Sequence, residues 1–269
     1  MSVRVSAQGA VCVVHMDRPQ RRNAVDRDMA VALYEAFVAF ERNPDWHVAV
    51  LHGEGGHFCA GWDLQSGAAL ARQTPEQRQT WVAPLDWRMD SESPGPLGPM
   101  GPTRLRLSKP VIAAVSGAAV AGGLELACWC DMRVVECSAY FGVYCRRFGV
   151  PLIDGGTVRL PRLIGHSRAM DMILTGRRVD AQEALSMGLA NRVVEAGQGL
   201  TAALELAQQL CAFPQTTLRQ DRDSALRQWG LSEEQAMQAE WVSGRSCIAE
   251  GIAGAVRFDQ GQGRHGAGV

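Results

Sequence analysis

Short apolar runs alternate with longer amphipathic stretches along the first 200 residues or so. Four runs are too short for buried helices and are bounded by Gly, Pro or charged residues, as is typical of strands. They are Val11 to Met16, Val48 to Leu51, Val111 to Val115 and Met132 to Val135. Between the first two, Met29 to Phe40 carries its apolar side chains on one helical face, which predicts a helix lying on a sheet. This alternation predicts an α/β fold whose sheet is covered on both faces.

The pattern changes at about residue 200, after which only helical periodicity is found. Ala203, Leu204, Ala207 and Leu210 define one predicted helix, and a second lies between Ser232 and Trp241. We therefore expect residues 1–199 to form the core. Residues 200–269 are predicted to form a helical C-terminal region, which is too small to hold its own core and packs on the first part or on a neighbouring subunit.

The stretch from Gln65 to Leu107 resists assignment. It contains Trp81, Trp87 and the run SESPGPLGPMGP. Dense Pro and Gly argue against a helix or a central strand there, and the length exceeds that of an ordinary loop. The two tryptophans favour a lid or a pocket wall over a disordered segment.

Composition and charge narrow the class of protein. The chain has 269 residues, with 27 basic and 28 acidic side chains, so no overall charge recruits nucleic acid or an anionic membrane. Eight cysteines lie mostly within apolar runs and show no zinc-type spacing, so we predict neither a metal site nor a disulfide framework. The sequence has no signal-peptide pattern and no apolar run of about 18 residues, which predicts a cytoplasmic protein.

Two glycine-containing turns carry the candidate chemistry. HFCAGWDL and SGAAVAGGLELACWCD each follow a predicted strand and lead into a helix. In the second, Gly122 and Gly123 open a helix whose first turn contains Glu125, so backbone N–H groups are left uncovered. The phosphate-binding patterns GxxxxGK[ST] and GxGxxG are absent. Two such turns instead suggest two N–H donors that converge on one oxygen, an oxyanion hole.

Five segments, in order and spacing, resemble the enoyl-CoA hydratase/isomerase, or crotonase, superfamily. They are DRPQRRNAV, HFCAGWDL, KPVIAAVSGAAVAGGLELACWCD, FGVYCRRFGVPLIDGGTVRLPRLIG and LTGRRVDAQEALSMGLANRVV. The resemblance implies a spiral of ββα units, a helical C-terminal trimerisation region, and a homotrimer or dimer of trimers. It also implies an acyl-CoA thioester as substrate, with coenzyme A as part of that substrate and no further cofactor.

The resemblance assigns roles to individual residues. It places the oxyanion hole on the backbone N–H groups of Trp62 and Gly122. It places the CoA-binding stretch on Arg21, Arg22 and Ala24, with Ala60 and Leu64 also lining the substrate. Arg18 belongs to the same stretch, and we interpret it as structural.

The acid and base groups depart from the family pattern. Glu125 matches the first of the two glutamates of a hydratase, but the second falls on Cys145, and a thiol has neither the length nor the acidity of a carboxyl. Asp154 corresponds to an aspartate of the dienoyl-CoA isomerase branch, although an aspartate before Gly-Gly is equally a helix N-cap or turn residue. Glu125 with Asp154 is therefore the expected working pair.

Three functions remain open from the sequence. The first is an enzyme of the enoyl-CoA hydratase/isomerase type that stabilises a thioester enolate. The second keeps the fold but runs another reaction, such as dienoyl-CoA isomerisation or thioester hydrolysis, and the missing second glutamate favours it. The third is a non-catalytic acyl-CoA binder.

Overall fold

Two β-sheets form the framework of this computed structural model, which describes residues 2–87 and 94–262. The larger sheet has the order β1 (Val3–Gln8), β2 (Val11–Met16), β3 (Val48–Gly53), β4 (Val111–Val115), β6 (Met132–Glu136) and β9 (Arg192–Val194). The smaller has the order β5 (Ala118–Val120), β7 (Tyr140–Gly142) and β8 (Arg178–Asp180). Only the β1–β2 and β7–β8 pairs are antiparallel. All four predicted strands are confirmed.

Helices connect and cover these strands. In chain order they are α1 (Arg27–Arg42), α2 (Leu64–Leu70), α3 (Pro75–Val82), α4 (Gly122–Trp129), α5 (Gly156–Ile164), α6 (His166–Thr175), α7 (Ala181–Ser186), α8 (Gly199–Ala212), α9 (Gln215–Arg227), α10 (Glu233–Gly244) and α11 (Ile248–Asp259). The predicted helix over Met29 to Phe40 is confirmed as α1, which begins where the Asp26 side chain accepts the Met29 N–H. The α/β class is confirmed as well.

The central strands are buried because both faces of the larger sheet are covered. On one face Val14 and Leu51 share a core with Phe37 of α1. On the other face Val13 and Val50 pack against apolar side chains of α8. Alternate residues of one strand thus enter two different cores, which explains why β2 and β4 are apolar along nearly their whole length.

The C-terminal region is helical from Gly199 to the last described residues, apart from short turns. Helix α8 packs on the sheet, whereas α9, α10 and α11 bury none of their own residues. Met237, Trp241, Ile252 and Phe258 are each more than half exposed. The boundary at residue 200 and the trimer stay predictions; residues 263–269 of this region lie outside the described part.

The expectation that Gln65 to Leu107 excludes helices is wrong for its first half. Helices α2 and α3 lie there, and α3 begins with a capping box in which Thr74 and Gln77 exchange hydrogen bonds while Pro75 takes the first helical position. The Pro and Gly run acts only locally, and from residue 94 onward it forms turns and one short 3₁₀ helix, Pro102–Arg104. Residues 88–93, which include the start of that run, lie outside the described part.

Candidate active site

The two predicted glycine turns meet side by side. The N–H of Cys59 donates to the Ala118 carbonyl at 2.9 Å, and the N–H of Val120 donates to the Cys59 carbonyl at 3.1 Å. Gly61, with φ +93°, approaches the second turn so closely that a Cβ there would lie 2.9 Å from the Gly122 nitrogen. Only glycine satisfies both conditions at this position.

Backbone geometry leaves the Trp62 and Gly122 N–H groups available. Gly122 is the first residue of α4, so its N–H has no acceptor within the helix. Val25 bonds to the residues on either side of Trp62, through the Gly61 carbonyl and the Asp63 N–H, so the Trp62 N–H points away from Val25. Ala121, in the second turn just before Gly122, holds a φ of +53°, a strained conformation for a residue with a side chain.

A cavity of about 270 Å³ opens beside these turns. Its wall includes all four predicted catalytic residues, Trp62, Gly122, Glu125 and Asp154. The other lining residues are Ala60, Leu64, Trp81, Leu85, Pro99, Met100, Ala121, Tyr144, Cys145, Phe148, Val150, Pro151 and Ile153. The two turns and the two carboxyl groups therefore border one space, which is small-molecule sized and mostly apolar.

Glu125 is a buried carboxyl held by backbone donors. It lies in the first turn of α4 and is 2% exposed. Its Oε1 accepts the N–H of Asp154 at 3.0 Å and the N–H of Gly156 at 2.8 Å. Burial, assisted by the charge of Asp154, raises the pKa of Glu125 to about 7. A carboxyl with this pKa exchanges protons readily at neutral pH.

Asp154 is a second buried carboxyl, and it is held by a different segment of the chain. Its Oδ1 accepts the N–H of Met100 at 3.0 Å and the hydroxyl of Thr103 at 2.5 Å. Burial raises the pKa of Asp154, while the Thr103 hydroxyl opposes that rise because it stabilises the ionised form. The N-cap position of α5 is Gly155, with no side-chain cap, so the helix-cap interpretation of Asp154 is wrong. One oxygen of its carboxyl instead accepts hydrogen bonds from the segment that carries Met100 and Thr103.

Cys145 borders the same cavity. It lies in a short 3₁₀ turn, Tyr144–Phe148, and is 6% exposed. Burial raises the pKa of the thiol, and the charge of Glu125 adds to this. The thiol therefore stays protonated near neutral pH and gives no second carboxylate at the position where the family pattern has one.

The predicted binding residues lie at the edge of the cavity or just outside it. Ala60 and Leu64 line it. Arg22 is exposed, and its carbonyl accepts the Ala60 N–H at 2.9 Å; Arg21 is exposed beside it, and Ala24 is half-buried. The structure thus brings the Arg22 backbone to the cavity edge but does not place either guanidinium within it.

The Arg18 side chain holds the turn formed by Arg21 to Ala24 in place. Its guanidinium lies 3.1 Å from the Asp26 carboxylate and 3.0 Å from that of Asp63, and it donates to the Ala24 carbonyl. These contacts confirm the structural interpretation of Arg18. They join the Arg21–Ala24 turn to the N-caps of α1 and α2, both of which are aspartates.

Sequence reasoning missed the partners supplied by the segment around Met100. Thr103 and the Met100 backbone reach Asp154 across more than 50 residues of chain. Trp81 lines the cavity, as expected of a pocket wall, whereas Trp87 is 63% exposed and lies under the Arg104 guanidinium at 5.3 Å. The Thr-Pro-Glu-Gln pattern at 74–77 is the one signal that could have placed Trp81 on a helix.

The described residues contain neither a candidate metal site nor a candidate membrane span. Within 2–87 and 94–262, no cluster of three or more His, Cys, Asp or Glu side chains is placed to hold a metal ion. Over those same ranges, every helix is too short or too polar to cross a lipid bilayer.

Comparison with known proteins places these features in context. Residues 6–89 and 103–250 match the family model described as enoyl-CoA hydratase/isomerase. The chain is 39% identical over 215 residues to enoyl-CoA hydratase EchA19 of Mycobacterium tuberculosis, covering 77% of this chain and 74% of that protein. It is 38% identical over 211 residues to carnitinyl-CoA dehydratase of Salmonella arizonae, covering 78% and 74%.

Solved structures agree in fold over nearly the whole chain. The crystal structure of an enoyl-CoA hydratase from Mycobacterium tuberculosis superposes with a TM-score of 0.82 at 28% identity, covering 96% of each chain. An enoyl-CoA hydratase structure from Geobacillus kaustophilus gives a TM-score of 0.82 at 32% identity, again covering 96% of each chain.

Proposed function

This chain belongs to the enoyl-CoA hydratase/isomerase family and has the crotonase fold, and we propose that it adds water to, or removes it from, the α,β-bond of an acyl-CoA thioester. The observation that carries this proposal is that Glu125, Asp154, Trp62 and Gly122 border one cavity. Relatives named as a hydratase and a dehydratase support a lyase-type reaction.

The two N–H groups are the proposed oxyanion hole. In hydration, a water oxygen bonds to the β-carbon and negative charge moves onto the thioester oxygen. The N–H groups of Trp62 and Gly122 stabilise that enolate, and losing one such donor typically costs about 2.7–4 kcal/mol of transition-state stabilisation. The cavity strengthens this interaction because its wall is mostly apolar.

The two carboxyl groups divide the proton transfers. Asp154 receives stabilisation of its ionised form from Thr103, so it is the proposed base that takes the proton of the attacking water. Glu125, with a pKa of about 7, holds a proton near neutral pH and delivers it to the α-carbon. Asp154 gains a proton from water as Glu125 loses one to the α-carbon, and transfer of a proton from Asp154 to solvent and from solvent to Glu125 resets the pair; dehydration follows the reverse path. Since no electrons are exchanged with a carrier, coenzyme A as part of the substrate is the only cofactor that the proposal needs.

Replacing Glu125 tests the assignment. We expect Glu125→Gln to lower kcat for 2-enoyl-CoA hydration by about 10²- to 10⁴-fold, the usual contribution of a general acid or base. Binding of a saturated acyl-CoA, measured by calorimetry, should change little because the amide keeps the shape of the side chain. Cys145→Ala is the matched control in the same cavity and should keep kcat within a few-fold. Full activity of Glu125→Gln would contradict the role of Glu125.

A second reaction is favoured by one observation, the thiol at Cys145 where a hydratase has its second glutamate. It is migration of a double bond in a dienoyl-CoA, with Glu125 and Asp154 moving the proton along the conjugated chain. The protein should be incubated with 2-enoyl-, 3-enoyl- and 2,4-dienoyl-CoA esters and the products identified by NMR. Strong hydration of 2-enoyl esters supports the first proposal. Migration without hydration supports the second, and binding without turnover of any ester would contradict both.

A further inference from the structure

The cavity of about 270 Å³ described above is here called the acyl cavity. A second, much smaller cavity of about 20 Å³ adjoins it. Four residues belong to the walls of both: Trp62, Trp81, Leu85 and Pro99. These side chains are the partition between the two spaces. The far side of the smaller cavity is formed by Arg27, Ala30, Pro84 and Leu97.

The partition is apolar on the side that faces the acyl cavity. The two carboxyl groups of the acyl cavity, Glu125 in α4 and Asp154 just before α5, do not belong to the partition. Arg27 lines only the smaller cavity. A hydroxyl or charged group at the end of an acyl chain would lose its water here, and the indole N–H groups are the only polar side-chain atoms of the four partition residues, so the loss is poorly compensated. The partition therefore suits a hydrocarbon end.

Of the two tryptophans in the partition, Trp81 is less tightly packed than Trp62. The indole of Trp62 packs on α2 so closely that a Cβ at Gly67 would lie 2.4 Å from it. Trp81 projects from α3, a helix of eight residues that buries none of them, and its ring lies 6.1 Å from that of Trp62 at a tilt of 49°. Removing the Trp81 indole would take away one of the four side chains of the partition while leaving Trp62 supported.

The volume of the acyl cavity limits what fits beside the partition. An apolar cavity of about 150 Å³ in an engineered protein holds benzene, so a cavity of about 270 Å³ holds a ring with a short linker, or a compact linear chain. We propose that Trp81 closes the distal end of the acyl cavity and restricts this enzyme to compact hydrocarbon acyl groups. This inference rests on the proposed acyl-CoA function and specifies the substrate class.

A chain-length series tests the proposal. The kcat/KM values for straight-chain 2-enoyl-CoA esters should fall steeply beyond the length that the cavity holds. In Trp81→Ala the optimum should move to chains longer by about two to four carbons, and the ratio of long-chain to short-chain kcat/KM should rise at least about tenfold, since one methylene in such a pocket typically changes specificity 10- to 200-fold. Trp81→Leu, which keeps an apolar side chain and perturbs α3 less, should give a smaller shift in the same direction.

Trp87→Ala is the matched control, because Trp87 is a neighbouring exposed tryptophan that lines neither cavity. It should leave the length profile unchanged. A profile that is the same in Trp81→Ala and Trp87→Ala would overturn the proposal, as would a wild-type protein that accepts long chains as well as short ones.

Binding measured without turnover separates this inference from the proposed function. Dissociation constants of saturated acyl-CoA esters of increasing length should show the same Trp81-dependent limit even if no reaction is found. An ester with a terminal hydroxyl should bind at least about tenfold more weakly than its parent, since the hydroxyl loses its hydration. Equal binding of the two would overturn the hydrocarbon assignment, whatever the catalytic result.

Discussion

The proposed reacting and distal ends of the acyl cavity are built in opposite ways. At the reacting end, Glu125 and Asp154 are buried, and each carboxyl accepts two hydrogen bonds from residues distant in sequence. At the distal end, α2 and α3 bury no residue of their own, and Trp81 is only half-buried. The reacting end is therefore part of the buried core, whereas the distal end is formed by short helices on its surface.

This difference separates chemistry from specificity. Proton transfer and enolate stabilisation need groups held to within about 0.5 Å, which only a well-supported core provides. The end of an acyl chain needs only a wall of suitable shape, so short peripheral helices are sufficient. Substitutions at the reacting end should therefore change kcat, and those at the periphery should change which substrate is used or how tightly it binds.

After Glu125→Gln, the largest effect on the reacting end is expected from Gly61→Ala. The added Cβ would collide with the Gly122 nitrogen and the Ala121 Cβ, and it would strain a φ of +93°. Because the two turns are forced apart, kcat should fall about 10²- to 10³-fold, as when one oxyanion donor is lost. Steady-state kinetics and a thermal melt of the variant measure the two consequences separately.

Gly56→Ala is the control for Gly61→Ala. Gly56 also has a positive φ, +79°, but a Cβ there meets no atom within 4 Å. It shares the backbone strain without the collision, so its stability should fall while kcat is retained. If both variants keep full kcat, the Trp62 and Gly122 N–H groups do not act together on one oxygen.

A smaller effect, on pH dependence, is expected from Thr103→Val. The hydroxyl of Thr103 stabilises ionised Asp154, so its removal raises the pKa of that carboxyl further. At a given pH more Asp154 is then protonated and unable to act as a base. The acidic limb of the kcat/KM profile should move to higher pH, and the loss at acidic pH should be about tenfold, in keeping with a hydrogen bond to a charged group.

Thr103→Ser keeps a hydroxyl at the same position and should restore the wild-type pH profile. A merely structural role for Thr103 would lower activity equally at all pH values in the valine variant. An unshifted acidic limb would therefore remove Asp154 from the role of base.

How much of this comparison the sequence could predict differs between the two ends. Strands such as β2 and β4 can be predicted from the sequence because burial on both faces makes them apolar along nearly their whole length. The sequence also places Gly122 and Glu125 correctly at the start of a helix. The three-residue strands β5, β7, β8 and β9 carry too few residues for a periodic signal. The partners of Asp154 could not be predicted, because contacts across more than 50 residues depend on tertiary packing.

The smallest effect is expected outside the cavity, at Arg21 and Arg22. Replacing both with alanine should raise KM for CoA esters about three- to tenfold with kcat unchanged, as for groups that bind substrate and transition state equally. The effect should shrink as salt is added, because exposed charges are screened. Arg227→Ala removes another exposed guanidinium, at the end of α9, and should not change KM. An unchanged KM in the double variant would return Arg21 and Arg22 to ordinary surface residues.

Lys109 is the only lysine in the 269 residues, and it is 4% exposed, with its ammonium donating to the carbonyls of Phe40 and Asn43 at the end of α1. A surface made basic by arginine alone offers no side-chain amine to an electrophile. Thioesters acylate amines, and guanidinium groups are poor nucleophiles because they stay protonated. Burial of Lys109 thereby keeps its amine from acylation by a thioester, and amine-directed labels should leave it unmodified in the folded chain.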